Sequence, residues 1–465
     1  MKWIACSDRI DWTETALDVS ARLGWCRDPV VPSDIDEVGF IGCAEDLDRA
    51  HLERRLRSEG FDPLGVPIVL LTKLDRDSPS RITARVEAIG SRMAAYTGSR
   101  PEHLKPVMHP TLSRRSFLTF RSPTYRAVPH PDDSCCAGDG CRACVDVCPH
   151  RALVWSRGAI QHDRLECESC GRCISTCPSG AMVNPAFTPA QLHAEIEGLA
   201  SAVAEPFGVR IACDRRPRPE MTPGWYEMGV PCVGMLPPHW IIGPLLMGAA
   251  AVAVSECGCD AEPDADQRAG EAVVFARSWL DAAGIAADSR IVDELREDLV
   301  PALGVVAAGN PFAPDGAVIV AAALGDVLVE GDQSPIGVVT IFEAACTGCE
   351  MCSTVCPTLA LRAVPNQGGL EIDFDPAHCT ACRQCTDRCP EDGAIHVLST
   401  VDSREIAVGR RTLIRHELAE CRRCGGTVAP QAALARIAGL LGDDPRALQQ
   451  ITSLCLDCRG ATMVF

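Results

Sequence analysis

Lysine is almost missing from this 465-residue chain: Lys2, Lys73 and Lys105 are the only three, and tyrosine is as rare. The remaining basic residues are Arg, which reads as genome-composition bias. Positive charge as a whole is in deficit, 44 basic against 62 acidic side chains for a net charge of −18. Such a surface repels a polyanion, which argues against a nucleic-acid partner. Long apolar runs are lacking too. The longest, Trp240 to Val254, is broken by Gly243, Pro244 and Gly248 and falls short of the roughly 20 residues needed to span a bilayer, so it reads as a buried helix feeding a buried strand. Met1 leads straight into Lys-Trp-Ile-Ala-Cys-Ser-Asp, without an apolar signal region, and the expected location is the cytoplasm, where thiols stay reduced. Ser113-Arg114-Arg115-Ser116-Phe117-Leu118 has the look of a twin-arginine export motif, but it lies deep in the chain and no apolar run follows; a basic linker is expected there. Familiar catalytic signatures are also absent. There is no Gly-x-x-x-x-Gly-Lys phosphate loop, no His-Glu-x-x-His and no Gly-x-Ser-x-Gly, and the 11 histidines are scattered. Gly138-x-Gly140-x-x-Ala143 follows no strand and is a coincidental dinucleotide match. No organic-substrate site is expected.

What the chain has is cysteine, 28 in all. It is too long for a small secreted disulfide scaffold, and 47% hydrophobic residues suffice for real cores, so ligation of metal is the better account of the thiols. Their spacing repeats. The first run is Cys136-x4-Cys141-x2-Cys144-x3-Cys148-Pro149, followed by Cys167-x2-Cys170-x2-Cys173-x3-Cys177-Pro178. The same motif returns as Cys346-x2-Cys349-x2-Cys352-x3-Cys356-Pro357 and Cys379-x2-Cys382-x2-Cys385-x3-Cys389-Pro390.

Three thiolates two residues apart let a tight loop wrap one corner of a [4Fe-4S] cubane, and the thiolate before Pro starts a new segment on the far side. Structural zinc, the competing reading, usually takes two pairs of thiols rather than triplets plus Cys-Pro. The runs resemble the bacterial two-cluster ferredoxin family, in which the fourth cysteine of each motif ligates the neighbouring cluster. The resemblance implies that Cys136, Cys141, Cys144 and Cys177 hold one cluster and Cys167, Cys170, Cys173 and Cys148 its neighbour. In the second pair it implies Cys346, Cys349, Cys352 and Cys389 for one, and Cys379, Cys382, Cys385 and Cys356 for the other. The first motif has four residues where the family usually has two, and Cys135 adjoins Cys136, so either can be the ligand. Short hairpins are expected between the loops, Ala152–Trp155 with Ala159–Ile160 about Ser156-Arg157-Gly158, and Leu361–Val364 with Leu370–Phe374.

Between the two pairs, Val209 to Cys213, Val230-Pro231-Cys232 and Met247 to Cys257-Gly258-Cys259 read as strand, Cys, strand, Cys, helix, strand, Cys. Each Cys falls at the C-terminal edge of an apolar strand, where open α/β sheets bind ligands. Gly270 to Ala283 reads as an amphipathic helix. These elements resemble the delta (iron-sulfur) subunit of methyl-viologen-reducing hydrogenase, which implies a [2Fe-2S] cluster on Cys213, Cys232, Cys257 and Cys259. Arg216 stands where that family has a further Cys, and the alternative is buried free thiols in an α/β core.

The tail carries Cys421-x2-Cys424 and Cys455-x2-Cys458 with a helix over Ala432 to Leu441 between them, the usual ligand set for all-thiolate zinc, with a further cluster as the alternative. Cys6, Cys26 and Cys43 have no ligand spacing. At the N-terminus, strands are expected at Trp3–Cys6, Val38–Cys43 and Ile68–Leu71, with helices over Asp46–Gly60 and Ser80–Tyr96.

The expected architecture is α/β and α+β multidomain. An N-terminal α/β domain (1–110) and a linker (111–131) precede a two-cluster ferredoxin domain (132–188). The hydrogenase delta-subunit-like α/β domain (205–300) and a connecting segment (301–339) lead to the second two-cluster ferredoxin domain (340–400) and a zinc-ribbon-like clip (405–465). The expected cofactors are four [4Fe-4S], one [2Fe-2S] and Zn. The expected function is electron relay between a redox enzyme (hydrogenase, formate dehydrogenase or heterodisulfide-reductase-like) and an acceptor. An accessory or maturation ferredoxin and a redox-sensing interaction protein are the alternatives.

Overall fold

The computed structural model describes residues 2–6, 19–23, 38–43, 49–58, 61–100, 103–107, 124–132, 134–138, 141–214, 221–258, 262–366, 369–441 and 451–460. The chain divides into two compact units, residues 1–136 with 142–325, and residues 137–141 with 326–465.

The first unit opens with a parallel four-stranded sheet in the order Val19–Leu23, Lys2–Cys6, Val38–Cys43, Ile68–Leu71. Alternation along the strands sends Ile4, Phe40 and Ile68 to one face, where they pack with Leu52 and Leu56 of the Arg49–Ser58 helix. Trp3, Ala5, Ile41, Cys43, Val69 and Leu71 face the other way, onto Ile82 and Val86 of the Pro79–Ala94 helix. Cys43 is thus a fully buried core residue. Pro79 fits the first turn of its helix, where no N–H is needed.

The Pro79–Ala94 helix lies against the Pro189–Ala202 helix, which begins with a Thr188/Gln191 capping box and Pro189. Gly198 permits the approach: a Cβ there would fall 2.8 Å from Ser91 Oγ and 2.9 Å from the Glu87 carbonyl. The Pro79–Ala94 helix also seals a second sheet. That sheet is parallel and three-stranded, ordered Trp225–Val230, Gly208–Cys213, Ala251–Val254, so Trp225–Val230 is an edge. The edge carbonyls that point away from the sheet belong to alternate residues, and arginines from the helix take them. Arg81 donates to Trp225 O (2.9 Å), Arg85 to Glu227 O (2.9 Å) and Arg92 to Gly229 O (3.3 Å). Buried arginine is rare unless paired; here Arg81 also meets Asp75 (3.0 Å) and Arg92 meets Glu195 (2.7 Å).

The segment from Trp240 to Val254 is a wholly buried Pro238–Leu246 helix and the Ala251–Val254 strand, and Ala265–Ala282 forms the following helix. In the ferredoxin-like part of this unit, Leu153–Ser156 pairs antiparallel with Ala159–His162. The two turn residues, Arg157 (φ 55°) and Gly158 (φ 79°), are both left-handed, as a two-residue hairpin of type I′ requires.

In the second unit, Leu361–Asn366 and Gly369–Phe374 form the corresponding hairpin. It continues into a four-stranded antiparallel sheet through Arg411–Glu420 and Thr427–Pro430. A three-stranded sheet places Ile395–Asp402 between Leu328–Glu330 and Gly337–Ile341. Val339, Leu361, Ile372, Phe374, Ile395 and Ile414 fill the core between these sheets, and the cluster-loop cysteines border it. Among the described residues no helix is long and apolar enough to cross a membrane.

Candidate metal centres

The loops between the cysteines repeat one backbone device. The second and fourth residues after the first Cys are left-handed in three of the four motifs: Ser169 (φ 54°) and Gly171 (80°), Gly348 (72°) and Glu350 (62°), Ala381 (52°) and Arg383 (59°). Non-glycine residues in this region cost about 1–3 kcal/mol each and persist where their surroundings dictate them, often at ligand clamps. Alternating left-handed residues curl the chain and turn its N–H groups inward, as Ser169 N–H does to Cys167 Sγ (3.4 Å). In the first motif Gly138 (φ 73°) holds the same place counted from Cys136. Cys135 is exposed and its thiol donates to the Asp132 carbonyl (3.6 Å), whereas Cys136 is half-buried.

The thiols gather across motifs. In the first unit Cys167, Cys170 and Cys173 line one small pocket together with Cys148 of the preceding motif. In the second unit Cys346, Cys349 and Cys352 line another together with Cys389 of the following motif. Cys356, in turn, lies within electrostatic reach of Cys379, Cys382 and Cys385. Of the remaining set, Cys136 and Cys177 neighbour Cys135, Cys144 lies near Cys173, and Cys141 belongs to the stretch grouped with the second unit. Cys-Pro-Ser and Cys-Pro-Thr corners recur, with Ser179 Oγ 3.7 Å from Cys177 Sγ and Thr358 Oγ1 3.8 Å from Cys356 Sγ.

Burial governs the thiols. It pushes Cys170, Cys352 and Cys379 up to about 12 and Cys385 up to about 11, with neighbouring sulfurs adding to the rise for the last three. Four buried thiols can all ionise only when a compact cationic core compensates them, which is the chemistry of an iron–sulfur or other soft-metal centre. The donor sets fit [4Fe-4S] clusters. One of the rare lysines supports the first-unit loop: Lys105 Nζ donates to Cys167 O (3.0 Å) and pairs with Glu168 (2.7 Å).

At the central sheet, Cys213, Cys232 and Cys257 are all buried at the C-terminal edge. Burial pushes Cys232 up to about 11; it hydrogen-bonds Cys257 and feels Cys213. The Asp266 carboxylate accepts from the Cys257 and Gly258 backbone N–H groups, fixing that turn at the start of the Ala265–Ala282 helix. Cys259 lies outside the described residues, as does Cys26; Cys6 ends its strand.

One network had no signal in the sequence. Glu262 is 2% exposed, pairs with His150 Nε2 (2.6 Å) and Arg172 (2.8 Å), and its donor atoms and those of His150 and Cys170 all lie within 4.8 Å of one another. Arg172 also contacts Asp264. A second such residue is His416, whose Nε2 lies 3.4 Å from Cys346 Sγ. Burial pushes its ring below the usual imidazole range, opposed by Glu343.

The tail brings Cys421, Cys424, Cys455 and Cys458 together with all four sulfurs within 4.8 Å of one another and Cys424 Sγ 3.6 Å from Cys455 Sγ. A hydrogen bond from the Cys455 backbone draws the Cys421 thiol down to about 6, while burial pushes Cys458 up to about 12. Four converging sulfurs suit a tetrahedral ion such as zinc. The Gln431–Leu441 helix lies between the two pairs.

The family model of the 4Fe-4S dicluster domain matches the chain twice, at residues 136–181 and 345–393. Among solved structures, the chain is similar to one from the formate dehydrogenase, heterodisulfide reductase and formylmethanofuran dehydrogenase complex of Methanospirillum hungatei. The identity is 17%, covering 66% of this chain and 93% of that one, at a TM-score of 0.22. No curated protein matches it. The chain carries two 4Fe-4S dicluster domains, and its chemistry is that of an iron–sulfur electron-transfer protein.

Proposed function

We propose that this chain is a multicluster relay subunit that passes electrons between a redox enzyme and an acceptor. The observation that carries the reading is the crossed grouping of thiols, Cys148 with the Cys167–Cys173 loop and Cys389 with the Cys346–Cys352 loop. When bound, [4Fe-4S] clusters take up and release single electrons. The residues that hold them are the four quartets expected from the spacing, with Cys136 preferred over Cys135. The left-handed position at Gly138 and the bond from the Cys135 thiol to Asp132 support that preference.

Cys213, Cys232 and Cys257, with Cys259 as the fourth donor, hold a [2Fe-2S] centre at the sheet edge. The tail quartet holds structural Zn. The protein's own work is to wall the thiolates from water, orient them through backbone N–H groups, and set the charge around each site. The similarity of the central elements to the hydrogenase delta subunit supports a hydrogenase, formate dehydrogenase or heterodisulfide-reductase-like partner, in the cytoplasm.

Anaerobic purification with iron, acid-labile sulfide and zinc analysis, followed by EPR, tests this. Four cubanes and one two-iron centre require about 18 iron atoms per chain, with zinc alongside. A content near 8 would sink the four-cluster reading, and one near 16 would remove the central centre alone. Copurification with a redox-enzyme subunit tests the partner.

A further inference from the structure

We propose that His416 donates a hydrogen bond from Nε2 to the Cys346 sulfur and so raises the reduction potential of the cluster held by Cys346, Cys349, Cys352 and Cys389. This rests on the cubane proposed at that site. A ligating thiolate can only accept, so the imidazole must supply the proton in this 3.4 Å contact.

The residue comes from outside the dicluster match at 345–393. It sits on the Arg411–Glu420 strand opposite Leu370, so the strand pairing fixes its height over the cluster loop. It is 7% exposed, and the Cys346 sulfur it meets lines a pocket shared with Ile341, Ile372 and Ile395 beside Glu350 and Glu391; away from bulk water a hydrogen bond is electrostatically stronger. The ring is also wedged in place. A Cβ on Gly348 would fall 2.9 Å from His416 Cδ2 and 3.0 Å from Cγ, and Gly348 is left-handed as well, so this loop position is shaped to receive the imidazole.

Reduction adds negative charge that spreads onto the ligand sulfurs. A donor aimed at one of them stabilises the reduced state more than the oxidised state, and hydrogen bonds to sulfur are among the established determinants of cluster potential. The same strand runs directly into Cys421, so the tail quartet anchors the element that carries the donor.

The test uses the full chain, loaded anaerobically, in a redox titration followed by EPR. His416→Phe and His416→Leu remove the donor, and His416→Gln keeps one. One cubane component should move to lower potential in the first two and return toward the parent value in the third, with the others unmoved. In protein labelled with ¹⁵N-histidine, pulsed EPR should show a nitrogen coupling to the cluster whose midpoint shifts, which disappears in H416F and is distinct from any coupling that His150 gives at the cluster on Cys170. Unchanged midpoints in an iron-replete H416F or H416L, or an equal fall in all three variants, overturn the inference. If neither donorless variant loads iron, absence of the nitrogen coupling in the parent protein overturns it. Failure of the cubane reading itself is distinct, appearing as missing iron in the parent protein.

Discussion

Met235 rests its sulfur on Gly171, so close that a Cβ on Gly171 would lie 2.3 Å from Sδ. Gly171 stands between Cys170 and the Arg172–Thr176 helix, and Met235 comes three residues after Cys232. This one contact joins a cluster loop to the cysteine-bearing edge of the central sheet. Gly171 is also left-handed, at φ 80°. Gly171→Ala should therefore cost about 1–3 kcal/mol from backbone strain, with the collision added. Its expected signature is loss of about four irons per chain by colorimetric analysis. Adding Met235→Ala should restore only the part due to the collision, and full iron in G171A alone would contradict this account.

The crossed grouping makes a directional prediction. Cys148→Ser should damage the centre built on Cys167, Cys170 and Cys173, the loop with which it shares a cavity, and leave the one built on Cys136. Likewise Cys389→Ser should damage the centre on Cys346, Cys349 and Cys352. EPR of the reduced variants distinguishes the components, and selective loss of the Cys136 signal in C148S would reverse the assignment.

Arg92 and Glu195 form a buried pair at 2.7 Å between the Pro79–Ala94 and Pro189–Ala202 helices. Arg92→Leu leaves the carboxylate, 1% exposed, without its cation, which should destabilise the fold by about 3–5 kcal/mol. Converting the stranded carboxylate to an amide in the double variant R92L/E195Q should recover part of that loss. Urea unfolding of the three proteins gives the comparison, and a double variant no better than R92L would mean that packing, not the unpaired charge, dominates.

His239 is buried in the Pro238–Leu246 helix, and burial pushes its ring down to about 3. Between that value and the ordinary imidazole value near 6.5, the unfolded chain binds a proton that the native chain does not. Stability is therefore present above about pH 6.5 and lost as pH falls, by about 1.4 kcal/mol per unit toward pH 3. Replacing His239 by Leu should flatten this limb when urea midpoints are compared at pH 7 and pH 5. An unchanged slope would place the acid sensitivity elsewhere.

The sequence made the metal chemistry legible because ligand spacing is a local property, written in consecutive residues. The Ser156-Arg157-Gly158 turn was readable for the same reason. What could not be read is what tertiary contact decides. Val19–Leu23 became a strand by lying along Lys2–Cys6, although its own alternation is short and carries Ser20 and Arg22. Arg411–Glu420 looks too charged for a central strand, yet Ile414 and His416 alternate onto the buried face while Arg415 and Glu417 point outward. His416 itself stood among scattered histidines, seventy positions from the sulfur it meets. Glu262 likewise offered no spacing to its partners His150 and Arg172.

The arginine excess, read from composition as a bias of the genome, has at least one physical use. Arg81, Arg85 and Arg92 occupy the three outward carbonyls of the Trp225–Val230 strand. Those carbonyls are what an additional strand would need in order to join the sheet, whether from the same chain or from a stranger. Guanidinium groups satisfy them, so these carbonyls are closed to a further strand. The Pro79–Ala94 helix thus serves as the terminator of a sheet it does not belong to. It keeps an apolar, cysteine-bearing layer from growing into a polymer.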